Sequence, residues 1–225
     1  TTTTHIMKPD FLSDESYIEN EDLGQLANIF TNLKKNTLPL AALGIPEKVV
    51  NSNIKWRSPS SDFCKKIAEF SKKFSTKNPY KFLKILCEGD GSKRLPIKLP
   101  KDGEPVFFPK TDTVIGVIGL SCLGKPIKET LFRYELLPNL TSLDNYFIKS
   151  LQSADIVTTD FLYRLCLSEK GLRKNITSQK FCIIFNQADI LDEKALAEVI
   201  ALRNQLQTKG ICSHIISVKN NYIIN

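Results

Sequence analysis

Short apolar runs alternate along this chain with longer stretches in which apolar residues recur every third or fourth position. The first pattern reads as buried strands and the second as amphipathic helices. Strands are predicted at 38–43, 82–87, 113–119, 181–185 and 214–218, and helices at 22–35, 61–76, 159–168 and 193–209. The last helix is the best marked, with Asp192 as N-cap, Gly210 just past its end, and Ala195, Val199, Leu202 and Leu206 on one face. Four prolines and a glycine between Pro96 and Pro109 predict an extended loop. There is no internal repeat and no low-complexity linker. This alternation predicts an α/β fold, with a mainly parallel sheet flanked by helices, as a single domain over 1–225 with a loop excursion at 88–112.

The predicted strand 82–87 runs directly into Glu88-Gly89-Asp90-Gly91. Open α/β sheets bind ligands outside the carboxyl ends of their strands, which puts Glu88 and Asp90 where Mg²⁺ and phosphate are expected. A tight Asp-Gly turn after a core strand accounts for the same residues equally well. Lys93, Arg94 and Lys98 follow closely and suit an oxyanion, or form a solvated basic loop.

Composition narrows the classes. No apolar run approaches the roughly 20 residues that span a bilayer, and no charged-then-apolar leader opens the chain, so a cytoplasmic protein is expected. Six cysteines are scattered without a CxxC pair, mostly inside apolar runs, and read as reduced core residues. Neither His5 nor His214 lies beside a cysteine pair, which argues against zinc. The net charge of +7 is uneven: residues 1–30 hold one Lys against six acids, residues 31–110 seventeen Lys and Arg against seven. The lysines of 61–76 interleave with Phe63, Ile67, Phe70 and Phe74, the pattern of a helix with a solvated basic side rather than a nucleic-acid motif.

Two further segments bear on a nucleotide. The strand 181–185 ends in Asn186-Gln187-Ala188-Asp189, and the strand after the long helix ends in Ser217-Val218-Lys219. The pair resembles the base-binding NKxD and SAK motifs of G proteins, in which the Asp carboxylate accepts hydrogen bonds from guanine and the Asn braces the loops. Here Gln187 replaces the Lys whose stem packs over the purine, and a strand-to-helix Asx turn favours the same residues. Gly119-Leu-Ser-Cys-Leu-Gly124-Lys125 fits GxxxxGK, but Pro126 stands where the metal-binding hydroxyl belongs, so it is expected to be a turn bordering the site. The opening TTTTHIM has no methionine at its head and reads as the end of a strand, which predicts an upstream strand, loop and helix. Thr3 and Thr4, with His5, are then candidates to coordinate metal or position a water, unless the terminus is frayed.

With TTTTHIMKP, EGDGSKRLPIKLPKDGEPV, VIGVIGLSCLGKPI, the Phe-Arg-Tyr-Glu stretch from Phe132, Glu169-Lys-Gly-Leu172 and FNQAD in this order, the chain resembles the YqeC family. These are described as accessory proteins of selenium-dependent molybdenum hydroxylases, or selenium cofactor biosynthesis proteins. The resemblance implies a P-loop NTPase-like fold whose phosphate loop, of the form GxGGKTT, precedes the threonine run. It implies ATP or GTP with Mg²⁺ as cofactor and a molybdenum hydroxylase or its cofactor machinery as partner, and Asp90 with Glu88, placed after the strand 82–87, are then the candidates to hold the metal. In that reading Arg94 and Lys98 offset charge in phosphoryl transfer, and Thr3, Thr4, Asn186, Asp189, Ser217 and Lys219 contact the nucleotide. The chain departs from the pattern at Gly89, where Ala is usual, and at Phe132, where His is usual. A non-catalytic nucleotide- or partner-binding module on the same fold is the alternative.

Overall fold

The computed structural model describes residues 1–2, 5–10, 16–31, 40–77, 83–140 and 155–224. They form two compact units: Thr1–Gly91 with Val106–Thr111, and Ser92–Pro105 with Asp112–Asn225.

The first unit contains β1 (His5–Met7), β2 (Tyr17–Ile18), α1 (Leu23–Thr31), β3 (Ala42–Leu43), β4 (Ile45–Val50), β5 (Asn53–Arg57) and α2 (Ser61–Lys77). Strands β1, β5 and β4 make an antiparallel sheet with β5 in the middle, while β2 pairs in parallel with β3. Its core gathers Ile18, Leu26, Phe30, Leu43, Phe63, Ile67 and Phe108. Helix α2 turns Phe63 and Ile67 inward and leaves Lys65, Lys66, Lys72 and Lys73 in solvent, as its periodicity predicts. Trp56 is buried and donates its indole N–H to Glu19 Oε1 at 3.0 Å. Gly44 lies against that ring so closely that a Cβ there would overlap it.

The predicted strand at 82–87 differs from expectation. Residues 83–87 carry no ladder of their own, and the pairing begins at Glu88, which bridges Thr2 in parallel and donates its N–H to the Thr1 carbonyl at 2.9 Å. Leu83, Ile85 and Cys87 pack onto the core, whereas Lys84 is exposed and Leu86 is 79% exposed. The segment thus has one wet face, and its apolar composition overstates its burial.

The second unit contains β6 (Ile97–Lys98), β7 (Thr113–Gly119), α3 (Ile127–Thr130), β8 (Leu131–Phe132), α4 (Thr159–Leu167), β9 (Lys180–Asn186), α5 (Glu193–Thr208), β10 (Cys212–Ser217) and β11 (Tyr222–Ile224). Its main sheet has the order β11-β10-β9-β7, with β7, β9 and β10 parallel and β11 an antiparallel edge. The mainly parallel sheet expected of the whole chain therefore describes this sheet, while the antiparallel sheet of the first unit was not anticipated. On β9, Ile183 and Phe185 are wholly buried and join Phe161, Leu162, Val199, Leu202 and Leu206 in the core. Helix α4 is capped by the Thr158 hydroxyl, which accepts from Phe161 N–H at 3.1 Å. Helix α5 is capped as predicted: Asp192 Oδ1 accepts from Ala195 N–H at 2.7 Å, and Gly210 ends it with a left-handed φ of 75°.

All six cysteines are free thiols. Cys64, Cys122 and Cys166 are core residues, and burial pushes the Cys122 thiol up to about 12 and Cys87 up to about 11. Cys212 is exposed, a correction to the expectation that such residues lie inside. Among the described residues no helix is long and apolar enough to cross a membrane.

Candidate functional site

The carboxyl end of the parallel sheet in the second unit gathers Asn186, Asp189 and Ser217, three of the residues assigned to a base. Strand β9 ends at Asn186, and a short 3-10 turn at Ala188–Ile190 follows, with Gln187 held left-handed at φ 71°. Asn186 Oδ1 accepts from Gln187 N–H at 2.8 Å and from Val218 N–H at 3.3 Å, tying the loop after β9 to the loop after β10. Asp189 Oδ1 accepts from the Ser217 hydroxyl at 2.6 Å, and Ser217 Oγ accepts in turn from Asn220 N–H at 3.1 Å. Ser217 is buried and Asp189 half-buried, so the carboxylate is fixed in direction yet keeps acceptor capacity beyond that one bond. Lys219 is exposed. Gln187 reaches toward the end of β7, where its Oε1 accepts from Ser121 N–H at 3.4 Å.

The GxxxxGK segment is a turn. Leu120–Cys122 is a 3-10 helix with Leu120 and Cys122 buried, and α3 beyond Pro126 is only four residues long. Its amides are already used: Leu123 N–H bonds to Leu120 O, Gly124 N–H to Val157 O, and Lys125 N–H to Cys122 O, each within 3.1 Å. A phosphate cradle needs those donors pointing at the ligand.

Beside this edge stands a charged cluster that sequence reading found only in part. Pro96 O accepts from Gly119 N–H at 2.9 Å, which fixes the start of β6 at the end of β7, and β6 pairs with β8. Glu104 receives both Arg133 amino groups, the Nη2 bond at 3.0 Å, and Lys98 Nζ lies 3.0 Å from its Oε2. The three side chains are only 11–16% exposed. Around the Phe132 ring stand Arg133 Cζ at 4.8 Å, Lys93 Nζ at 5.0 Å and Lys98 Nζ at 5.6 Å from the centroid. Three cations thus surround one π-face, and two of them, Lys98 and Arg133, also pair with Glu104, whose Oε1 lies 3.9 Å from Lys101 Nζ as well. Lys93, Arg94 and Arg133 are held at positive φ of 52°, 66° and 64°, a conformation non-glycine residues rarely adopt and one that clusters at ligand sites. Lys98, assigned to charge stabilisation, is here a partner of Glu104, and Arg94 is exposed. Glu104 and Arg133 went unassigned because nothing in their separation of 29 residues marks them as neighbours.

Glu88 and Asp90 belong to the first unit and are half-buried. Thr2 Oγ1 donates to Glu88 O at 3.2 Å, so Thr1 and Thr2 run alongside the acidic turn. Glu88 Oε1 lies 3.5 Å from where a Cβ on Gly91 would stand, so the carboxylate folds back over its own turn. Thr3 and Thr4 lie outside the described residues. His5 pairs instead with Glu47, Nε2 to Oε1, at 3.2 Å.

No curated protein and no solved structure matches the chain. The family model described as YqeC protein matches residues 1–135, which include Glu88, Asp90, Lys98, Glu104 and Arg133 and make up more than half of the 225 residues, and the chain belongs to the YqeC family.

Proposed function

We propose that this protein is a nucleotide-dependent accessory factor in the maturation of the selenium- and molybdenum-containing cofactor of a hydroxylase, on a P-loop NTPase-like fold. The observation that carries the nucleotide part is the Asp189–Ser217–Asn186 constellation at the carboxyl end of β9 and β10, a fixed carboxylate framed by two braced loops. A purine carrying adjacent N–H donors is the ligand such an acceptor suits. Membership of the YqeC family supports the hydroxylase part. A bound Mg²⁺ would supply charge neutralisation for phosphoryl chemistry. Asp90 and Glu88 offer the hard oxygen ligands that this ion takes. Arg94, which is exposed, suits an oxyanion, whereas Lys98 is engaged by Glu104.

Calorimetric titration of the full-length protein with ATP and with GTP, with and without Mg²⁺, tests the reading. Asp189→Ala should weaken the preferred nucleotide by about tenfold to a hundredfold, the consequence of roughly 1–3 kcal/mol for donors left without their acceptor. A guanine site should also lose discrimination against ATP. Asp90→Asn should abolish most of the Mg²⁺ dependence while the fold stands. If Asp189→Ala lowers stability and leaves affinity untouched, the constellation is a turn and no more. The alternative, a non-catalytic nucleotide- or partner-binding module on the same fold, predicts partner binding with no nucleotide hydrolysis and, for a purely partner-binding form, no nucleotide titration.

A further inference from the structure

Cys182, Cys212 and His214 meet on one face of the second unit's sheet, at its amino end. Cys212 and His214 are two apart on β10 and so project to the same side. Parallel pairing sets Cys182 of β9 directly beside Cys212. The two sulfurs and a ring nitrogen of His214 all lie within 4.8 Å of one another, and Cys212 Sγ to His214 Nε2 is 3.5 Å. Zinc bonds of about 2.3 Å to sulfur and 2.0–2.1 Å to nitrogen, opened at the tetrahedral angle, subtend an S···N edge of about 3.5–3.6 Å. The observed edge already has that length. Cys212 and His214 are exposed and Cys182 half-buried, so an ion can enter from solvent. The donor set holds two sulfurs and an imidazole and no carboxylate, which selects soft or borderline cations over Mg²⁺ or Ca²⁺.

We propose that Cys182, Cys212 and His214 form a three-ligand site for a thiophilic divalent cation of the Zn²⁺ class, with its fourth position open to an exogenous ligand. The site is separate from the Asn186–Ser217 edge: Cys182 precedes Asn186 by four residues along β9, roughly 13 Å of strand. Its sequence signal is a Cys-x-His on one strand and a lone Cys at the matching register of the next, which no CxxC search detects.

Titrating the full-length protein, kept reduced by a phosphine, with Co²⁺ should give a saturable thiolate-to-cobalt charge-transfer band at one ion per chain, which Zn²⁺ then bleaches. Cys212→Ser should abolish the band; its exposed position makes it a mild change, and circular dichroism checks that the fold is retained. Losing a partner that merely supports a ligand costs about 10–100-fold in metal affinity, so His214→Ala, which removes a ligand, should weaken Co²⁺ at least about tenfold. His5→Ala, in the first unit, should change nothing. A folded, reduced protein without the band, or a band that survives Cys212→Ser, overturns the proposal. So does a Cys182–Cys212 disulfide that persists in the reductant and blocks cobalt.

Discussion

Glu104 holds together charges that would otherwise repel. Lys98 and Arg133 both reach its carboxylate, and all three side chains are largely withdrawn from water. Removing one partner of a buried pair leaves the others uncompensated, so Glu104→Gln should cost about 3 kcal/mol, read as a lower urea midpoint. The same variant should gain more stability from inorganic phosphate than the parent does, because the carboxylate that Lys98 and Arg133 share is then a neutral amide. Equal phosphate stabilisation of both proteins would make the cluster a purely structural ion network. That Lys93, Lys98 and Arg133 converge on Phe132 could not be read from spacing, since the contact is made by β6 pairing with β8, two strands of two residues each. Asn186, Asp189 and Ser217 were legible for the opposite reason. Asn186 and Ser217 are the last residues of well-marked apolar strands and Asp189 lies in the short turn after the first, where the sheet itself dictates position.

The longer elements follow their periodicity. Helix α2 begins at Ser61 and β7 spans 113–119, as expected, because each carries a full apolar face bounded by a clear start. The β4–β5 hairpin escaped notice because β4 is solvated from Pro46 to Val50 and so shows no alternation. Its turn is Asn51-Ser52, both at positive φ, where Asn-Gly would have been the recognisable signal. Caps give predictions at this scale. Asp192→Ala removes the acceptor for Ala195 N–H and should lower stability by about 1 kcal/mol in thermal or urea unfolding. Helix α2 has a relayed cap: Ser60 Oγ accepts from Phe63 N–H at 3.2 Å, while Glu21 accepts from the Ser60 N–H and hydroxyl. Those two bonds, the backbone one first, hold the Glu21 carboxyl below the ordinary glutamate range. A depressed pKa stabilises the fold fully above the unfolded value, about 4.3, and the contribution disappears as pH falls through the folded value. Unfolding midpoints of the parent and Glu21→Gln should therefore differ at neutral pH and converge in acid. The gap should be small, because Glu21 is exposed.

At the scale of the whole molecule, the chain's single tryptophan has a spectroscopic consequence. Trp56 is sealed in the first unit between Gly44 and its bond to Glu19, so intrinsic emission follows the opening of that unit alone. Far-ultraviolet dichroism, by contrast, sums helices from both units, and Asp192→Ala perturbs a helix of the second. Recording both signals on that variant turns an indole ring into a coupling gauge. A fluorescence midpoint that moves with the dichroic one reports that stability lost at α5 is felt at Trp56. A stationary one gives the ring to be used, in any later ligand titration, as a quiet internal reference for the first unit.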